Sequence, residues 1–332
     1  EAAAAVKAEF RKITDKPIAA LIYTHNHADH VMGGLAFAPD GNIDVYAHET
    51  TNFYINRVAS VVRPILSVRS ARMFGSYLGR DGADRRESVG LGPFVETLDP
   101  TATLGLIRPT KTFADELDVT ICGVRAKLVH APGETNDQIF VWLPERGVLM
   151  PGDNIYKAFP NLYTIRGTLY RDVLKWVKSL DRMRALRPTH LAPSHTRPVS
   201  GRERVVETLT AYRDAIQFVH DQTVRGLNRG LSPDELVEAV KLPPHLAAHP
   251  YLQELYGKVE WSVRAVYDGY LGWFDGDAAA LEPVDADARA DGMAELAGGV
   301  DGLRRATRDA LEAERFEWAA ELATHLIRLE PA

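Results

Sequence analysis

One cysteine in 332 residues excludes an intrachain disulfide and any metal site built on several thiolates, and it does not fix the compartment. That residue, Cys122, stands in LDVTICG and reads as a core residue of a strand. Long apolar runs are missing too: none approaches the roughly 20 residues of a membrane-spanning helix, and no signal-peptide pattern is visible. Nor is there an excess of basic residues. Lys and Arg number 39 against 45 Asp and Glu, a net charge of −6, which argues against nucleic acid or anionic membrane as the principal partner. A local basic patch around an anionic substrate is still allowed. What is present is an ordinary globular composition, 45% hydrophobic and 25% charged, over about twice a typical domain length, so two domains are expected.

The most informative stretch is PIAALIYTHNHADHVMGG, Pro17 to Gly34. Ile18 to Tyr23 is an apolar run rich in β-formers, long enough for a buried strand, and it ends in His25, His27, Asp29 and His30. In open α/β architectures the C-terminal ends of strands gather functional groups, and imidazoles with a carboxylate suit Zn²⁺ or a similar divalent ion. Imidazoles at i and i+2 of an extended loop point to one side, while the Asp-His pair turns to a second position, so one loop serves two metals. Histidines merely facing water are the competing reading, and HxHxDH directly after an apolar strand weighs against it.

THNHADH resembles the signature of the metallo-β-lactamase-fold hydrolases, and the resemblance continues in order through HAPGETND, MPGDN and THLAPSH. It implies an αββα sandwich over residues 1–201 and three further ligands, Glu134, Asp153 and His195. Glu134 stands where most of the superfamily has His, which is similar to the alkylsulfatase branch. The implied set is His25, His27 and Glu134 for one metal, Asp29, His30 and His195 for the other, with Asp153 bridging. Two Zn²⁺ fit these ligands, and their oxygen content admits Mn²⁺ or Fe. His48 and His130 read as structural. The chain opens at Glu1 in what reads as mid-helix, and only one strand precedes the motif where the fold family has several. The first strands are therefore expected to lie in a segment absent from this sequence or on another chain.

Along the chain, IDVYAH (Ile43 to His48) completes a β-α-β unit. Ala71 to Gly92 has no periodicity and reads as a long loop at a substrate mouth. ATLGLIRP, LDVTICG and VRAKLVHAP read as strands, and QIFVWLPERGVLM as a hairpin. Val173, Trp176, Val177, Leu180 and Met183 recur at helical spacing, as do apolar residues from Arg202 to Arg225. Ser232 to Glu235 is a capping box. Tyr251 to Gly276 and the last residues from Arg315 read as further helices, the last like one arm of a tetratricopeptide-like hairpin. Residues 202–332 thus resemble the helical dimerisation domain of alkylsulfatases, which implies a homodimer.

After Asp153, Asn161, Thr164 and Arg166 lie in NLYTIRG, similar to the NLYTLRG-type motif of alkylsulfatases. An Arg fork with hydroxyl and amide donors suits a sulfate ester, whereas a surface Arg166 paired with Asp172 is the bland reading. The resemblance implies hydrolysis of an alkyl sulfate by a metal-bridging hydroxide, with another ester (phosphoester or lactone) or a non-catalytic metal-stabilised scaffold as alternatives. Two departures bear on proton donation: Pro160 replaces a His that some alkylsulfatases have before NLY, and MFGS (Met73 to Ser76) replaces MYGN. Candidate general acids are Tyr77, Tyr156 and Tyr163. Whether sulfur or carbon is attacked stays open.

Overall fold

The β-rich first half builds two sheets, and the period-2 alternation of its strands decides how they stack. In the computed structural model, which describes residues 2–79, 81–83, 85–86, 88–92 and 104–331, helix α1 (Ala2–Arg11) precedes β1 (Ala20–Ile22). The ligand loop then passes through two short helices, α2 (Ala28–Val31) and α3 (Gly34–Phe37), to β2 (Asp44–His48). Helices α4 (Thr51–Asn56) and α5 (Arg63–Met73), joined by one π-helical turn at Arg57–Val61, lead towards β3 (Lys111–Phe113). Strands β1, β2 and β3 form a parallel sheet in that order. The second sheet runs β4 (Glu116–Ile121), β5 (Val124–His130), β6 (Ile139–Leu143), β7 (Val148–Met150), β8 (His190–Leu191) and β9 (Val199–Ser200). It is antiparallel except between β7 and β8, where α6 (Val173–Ala185) makes the crossover that a parallel pair requires.

Successive side chains of a strand face opposite ways, and here each face has its own partner. Val45 and Ala47 of β2 join Val31 and Ile55 in a core under the flanking helices, while Tyr46 turns to the other sheet. Ile139 and Val141 of β6 face the first sheet, and Phe140 faces Trp176 and Leu180 of α6. The layers are therefore helix, sheet, sheet, helix, the αββα sandwich that the family resemblance implies. Asp172 caps α6, accepting the Lys175 N–H at 3.1 Å.

The change of texture at Gly201 is a change of secondary structure and not a break in packing. Helix α7 (Arg202–Leu227) buries Leu209, Tyr212 and Ile216 against α6 in the same core. Three more helices, α8 (Pro233–Ala239), α9 (Pro244–Ala247) and α10 (Val259–Leu271), belong to that unit, and α8 carries the expected capping box. The contacts divide the chain into Glu1–Gly272 and Trp273–Ala332. The second unit holds α11 (Ala278–Leu281), α12 (Ala286–Leu296), α13 (Val300–Glu312) and α14 (Phe316–Leu329), around a small core of Ala294, Leu303 and Leu322.

Four local expectations change. Cys122 is exposed, because it and Gly123 form the two-residue turn between β4 and β5 with φ of 48° and 80°, the positive angles that a type I′ hairpin demands. The ATLGLIRP stretch is not a strand over residues 104–109; the Gly105 backbone instead donates to Met32 O and accepts from Leu35 N, both at 2.8 Å, and Ala102 and Thr103 lie outside the described residues. Residues Ala71 to Met73 finish α5, and the rest of the expected loop to Gly92 is irregular where described, with Arg80, Asp84 and Glu87 outside the described residues. In the Tyr251–Gly276 run only Val259–Leu271 is helical. Residues 251–258 stay irregular because they run along Phe159, with Gln253 O accepting from Phe159 N at 2.7 Å and Gly257 N donating back at 3.2 Å.

Candidate metal centre

The ligand loop is aimed by a join between the two sheets. Thr24, just past β1, accepts the Ile139 N–H of β6 at 2.8 Å, and its Oγ1 lies 3.1 Å from His25 Nδ1. With Nδ1–H donated to that hydroxyl, His25 Nε2 is left as a lone-pair donor facing inward. The first turn of α2 carries Asp29 and His30 round to the second position. From the other sheet, Asp153 rides on the turn Gly152–Asn154, where Gly152 has φ 58° and a Cβ would stand 2.1 Å from Gln138 Nε2.

All seven expected ligands converge. His25, His27, Glu134 and Asp153 form one cluster and Asp29, His30 and His195 a second. His25 Nε2 is 2.9 Å from His27 Nδ1 and 3.5 Å from Glu134 Oε2, which lies 3.3 Å from His27 Nδ1. His30 Nε2 is 3.2 Å from His195 Nε2. Asp153 Oδ2 lies 3.2 Å from His30, 3.1 Å from His195 and 3.8 Å from His25, between the clusters. Asp29 closes the outer side at 3.1 Å from His195, with its side chain 59% exposed. Glu134 Oε2 and Asp153 Oδ1 are buried without a hydrogen-bond partner among the described residues. Imidazole nitrogens aimed at one another and at orphaned carboxylate oxygens fit divalent cations. The chain thus carries a candidate divalent-metal site.

The electrostatics divide along the same line. Burial, then the neighbouring rings of His30 and His27, holds His25 well below the usual imidazole range. Burial and then Arg166 lower His27 likewise. For His195 burial also opposes the charged form, but hydrogen bonds with Asp153 and Asp29 outweigh it and push the ring up to about 10; His30 is raised by the same carboxylates. Burial raises Glu134, with Arg171 opposing.

Supports that sequence reasoning missed hold these ligands. Asn154 accepts the Glu134 N–H at 3.1 Å and donates to Ala131 O at 2.7 Å. Buried Arg171 donates to Glu134 Oε1 at 3.3 Å and to the Asn161 carbonyl. His48 stacks on His130 with ring centroids 3.9 Å apart, His48 bonded to Thr50 and His130 to the Asn136 carbonyl, so both are structural. No spacing rule flags Asn154 or Arg171, because each meets its partner across the fold.

Beside the clusters, Arg166 Nη2 lies 3.3 Å from His27 Nε2, and its Nη1 donates to Thr164 Oγ1 at 3.2 Å and Tyr256 OH at 3.5 Å. The bland pairing with Asp172 is replaced by that residue's cap on α6. Asn161 is buried with neither side-chain amide atom partnered among the described residues, and Thr164 Oγ1 donates to Met73 Sδ at 3.1 Å. A cavity of about 70 Å³ adjoins His27, Glu134, Arg166 and Arg171. Its other walls include Tyr54, Val58, Leu66 and Leu169. Of the candidate acids, Tyr77 is 72% exposed, Tyr163 is half-buried, and Tyr156 is wholly buried with its hydroxyl accepting the Asn161 N–H at 2.7 Å. Burial pushes Tyr156 well above the usual phenol range. Tyr256, edge-on to Tyr156, was hidden in a run that reads as helix.

Comparison with known proteins places these features. The family model described as metallo-beta-lactamase superfamily matches residues 1–195, and one described as alkyl sulfatase dimerisation matches 232–332. A linear primary-alkylsulfatase of a Pseudomonas strain is 46% identical over 98% of this chain and 62% of its own length. An alkyl/aryl-sulfatase of Saccharomyces cerevisiae is 30% identical over 98% of this chain and 51% of its own. The stereoselective inverting sec-alkylsulfatase Pisa1 from Pseudomonas sp. superposes with a TM-score of 0.92 at 28% identity, over 99% of this chain and 53% of that structure. The chain spans about half to three-fifths of these relatives. Among the described residues no helix is long and apolar enough to cross a membrane.

Proposed function

The chain belongs to the metallo-beta-lactamase superfamily, and on that premise we propose that it hydrolyses alkyl sulfate esters to sulfate and an alcohol at a pair of divalent metal ions. The observation that carries the reading is Arg166, turned towards ligand His27 and away from any carboxylate partner among its described contacts. A planar guanidinium so placed suits a tetrahedral oxyanion.

In this reading His25, His27 and Glu134 would hold one ion and Asp29, His30 and His195 the other, with Asp153, whose Oδ2 lies between the two clusters, available to both. Zn²⁺ suits the four imidazoles, and Mn²⁺ or Fe suits the carboxylates. When bound, such ions supply a water-derived nucleophile at neutral pH and neutralise charge on the leaving oxygen. The remaining roles fall to the chain's own side chains. Arg166, Thr164 and Asn161 grip the sulfate oxygens and fix the ester bond relative to the ligands. The apolar walls from Tyr54, Val58, Leu66 and Leu169 take the first carbons of the alkyl chain and exclude water. Tyr156 braces the Asn161 backbone, and Tyr77 and Tyr163 are the other candidates for donating a proton to the leaving alcohol. The region matching the dimerisation family, 232–332, serves as a homodimer contact.

The test is sulfate release from a medium-chain primary alkyl sulfate by metal-loaded protein, with p-nitrophenyl phosphate and a lactone assayed in parallel. Selective sulfate release supports the reading. Turnover of only the phosphate or the lactone, with metal bound, replaces it by another esterase on the same centre.

A further inference from the structure

We propose that Arg171 is a positioning residue for the metal site: it pins Glu134 by one carboxylate oxygen, so that the other is presented to the ion, and ties that ligand to the anion-binding segment through the Asn161 carbonyl. This rests on the metal-binding part of the proposed function and is independent of which ester is hydrolysed.

The geometry is unusual for an arginine. Its side chain and that of Glu134 are each 2% exposed, and they meet through Nη1 and Oε1 at 3.3 Å. The same Nη1 donates to the carbonyl of Asn161, while Nε and Nη2 are buried with no hydrogen-bond partner among the described residues. Glu134 and Asn161 are thus what hold the guanidinium in place. Oε2 of Glu134 points the other way, 3.3 Å from His27 Nδ1 and 3.5 Å from His25 Nε2, with no hydrogen-bond partner among the described residues. A free carboxylate rotates about its terminal torsion and offers either oxygen or both. Held at Oε1 by Arg171, it keeps Oε2 turned towards the histidines. Asp153, by contrast, is steered by the ligands His30 and His195 themselves, at 3.2 and 3.1 Å. Among the three carboxylate ligands Glu134 is the one whose side chain pairs with a residue outside the clusters, and outer partners of metal ligands commonly govern affinity about 10- to 100-fold.

The experiment is Zn²⁺ affinity by competition with a chromophoric chelator, for wild type, Arg171→Met, Arg171→Lys, Glu134→Gln and the Met/Gln double variant, with far-UV circular dichroism on each. Arg171→Met is expected to weaken one Zn²⁺ by about 10- to 100-fold with unchanged ellipticity. Arg171→Lys, which keeps the charge and one donor, should recover part of the loss and stands in for the Met variant if that does not fold. In the Glu134→Gln background, Arg171→Met should cost less than about threefold more, because the ligand it acts through is already altered. Wild-type affinity in the folded Met and Lys variants overturns the proposal. So does a raised KM for alkyl sulfate with unchanged Zn²⁺ affinity, which would make Arg171 a substrate contact. Absence of Zn²⁺ binding in the wild type would instead bring down the metal reading beneath it.

Discussion

Arg166→Ala separates recognition of the sulfate group from the rest of the account. The side chain's recorded contacts are Thr164 Oγ1, Tyr256 OH and His27 Nε2, so its removal strands no buried carboxylate. The stability cost should be about 0.5–3 kcal/mol, the ordinary range for a single substitution. For an anionic substrate, two charge-assisted hydrogen bonds of about 1.5–3 kcal/mol each are at stake. Water entering the vacated space recovers part of this, leaving a net loss of about 3–4 kcal/mol, or roughly 100- to 1,000-fold in kcat/KM. Arg166→Lys keeps the charge without the planar fork and should fall between. The assay is initial rate of sulfate release against alkyl sulfate concentration, with thermal unfolding and Zn²⁺ content of each variant alongside. A folded, metal-replete Arg166→Ala protein within threefold of wild type, or one that loses a neutral lactone equally, would refute the cradle.

Gly133→Ala should weaken metal binding from a position that touches no ion: a Cβ there would stand 2.0 Å from Asn154 Oδ1 and 2.9 Å from Trp176 Cδ1, displacing the acceptor of the Glu134 N–H. The expected destabilisation is about 1–3 kcal/mol, read by chemical unfolding, with lowered Zn²⁺ affinity by chelator competition. In the metal-free protein His195 is raised to about 10, so its pairing stabilises fully below its unfolded value near 6.5 and is lost as pH rises towards 10. Asp153 is depressed, so its contribution is present above about pH 4 and lost on further acidification. Metal-free protein should therefore unfold more easily at pH 9 than at pH 6 relative to His195→Gln, and Zn²⁺ uptake near pH 7 should release protons, measurable by calorimetry in buffers of different ionisation enthalpy.

What could be read from sequence was local or ordered along the chain. HxHxDH after an apolar strand carries its cue within a few residues, whereas Glu134, Asp153 and His195 were legible only from the ordered resemblance of HAPGETND, MPGDN and THLAPSH to a known family, and the structure brings the seven side chains together. The αββα layering was legible only through the family resemblance of the ordered motifs, and in the structure the alternation of each strand gives its two faces different partners. Cys122 failed as a core residue because a Cys-Gly pair between strands is also turn chemistry, and φ above zero decided it. The 251–258 stretch failed as helix because backbone bonds to Phe159 outweigh its propensity. Arg171, Asn154 and Tyr256 had no signal at all: their meaning lies in partners 20 to 90 residues away, at Glu134 and Arg166.

The central claim, that a metal pair held by these seven residues hydrolyses an alkyl sulfate, is met most directly by titrating Zn²⁺ into metal-free protein while sulfate release from a medium-chain alkyl sulfate is followed. The account predicts no release without metal and a rise to a plateau at about two equivalents per chain. Equal release from metal-free protein, or two bound ions with no sulfate released, would contradict it.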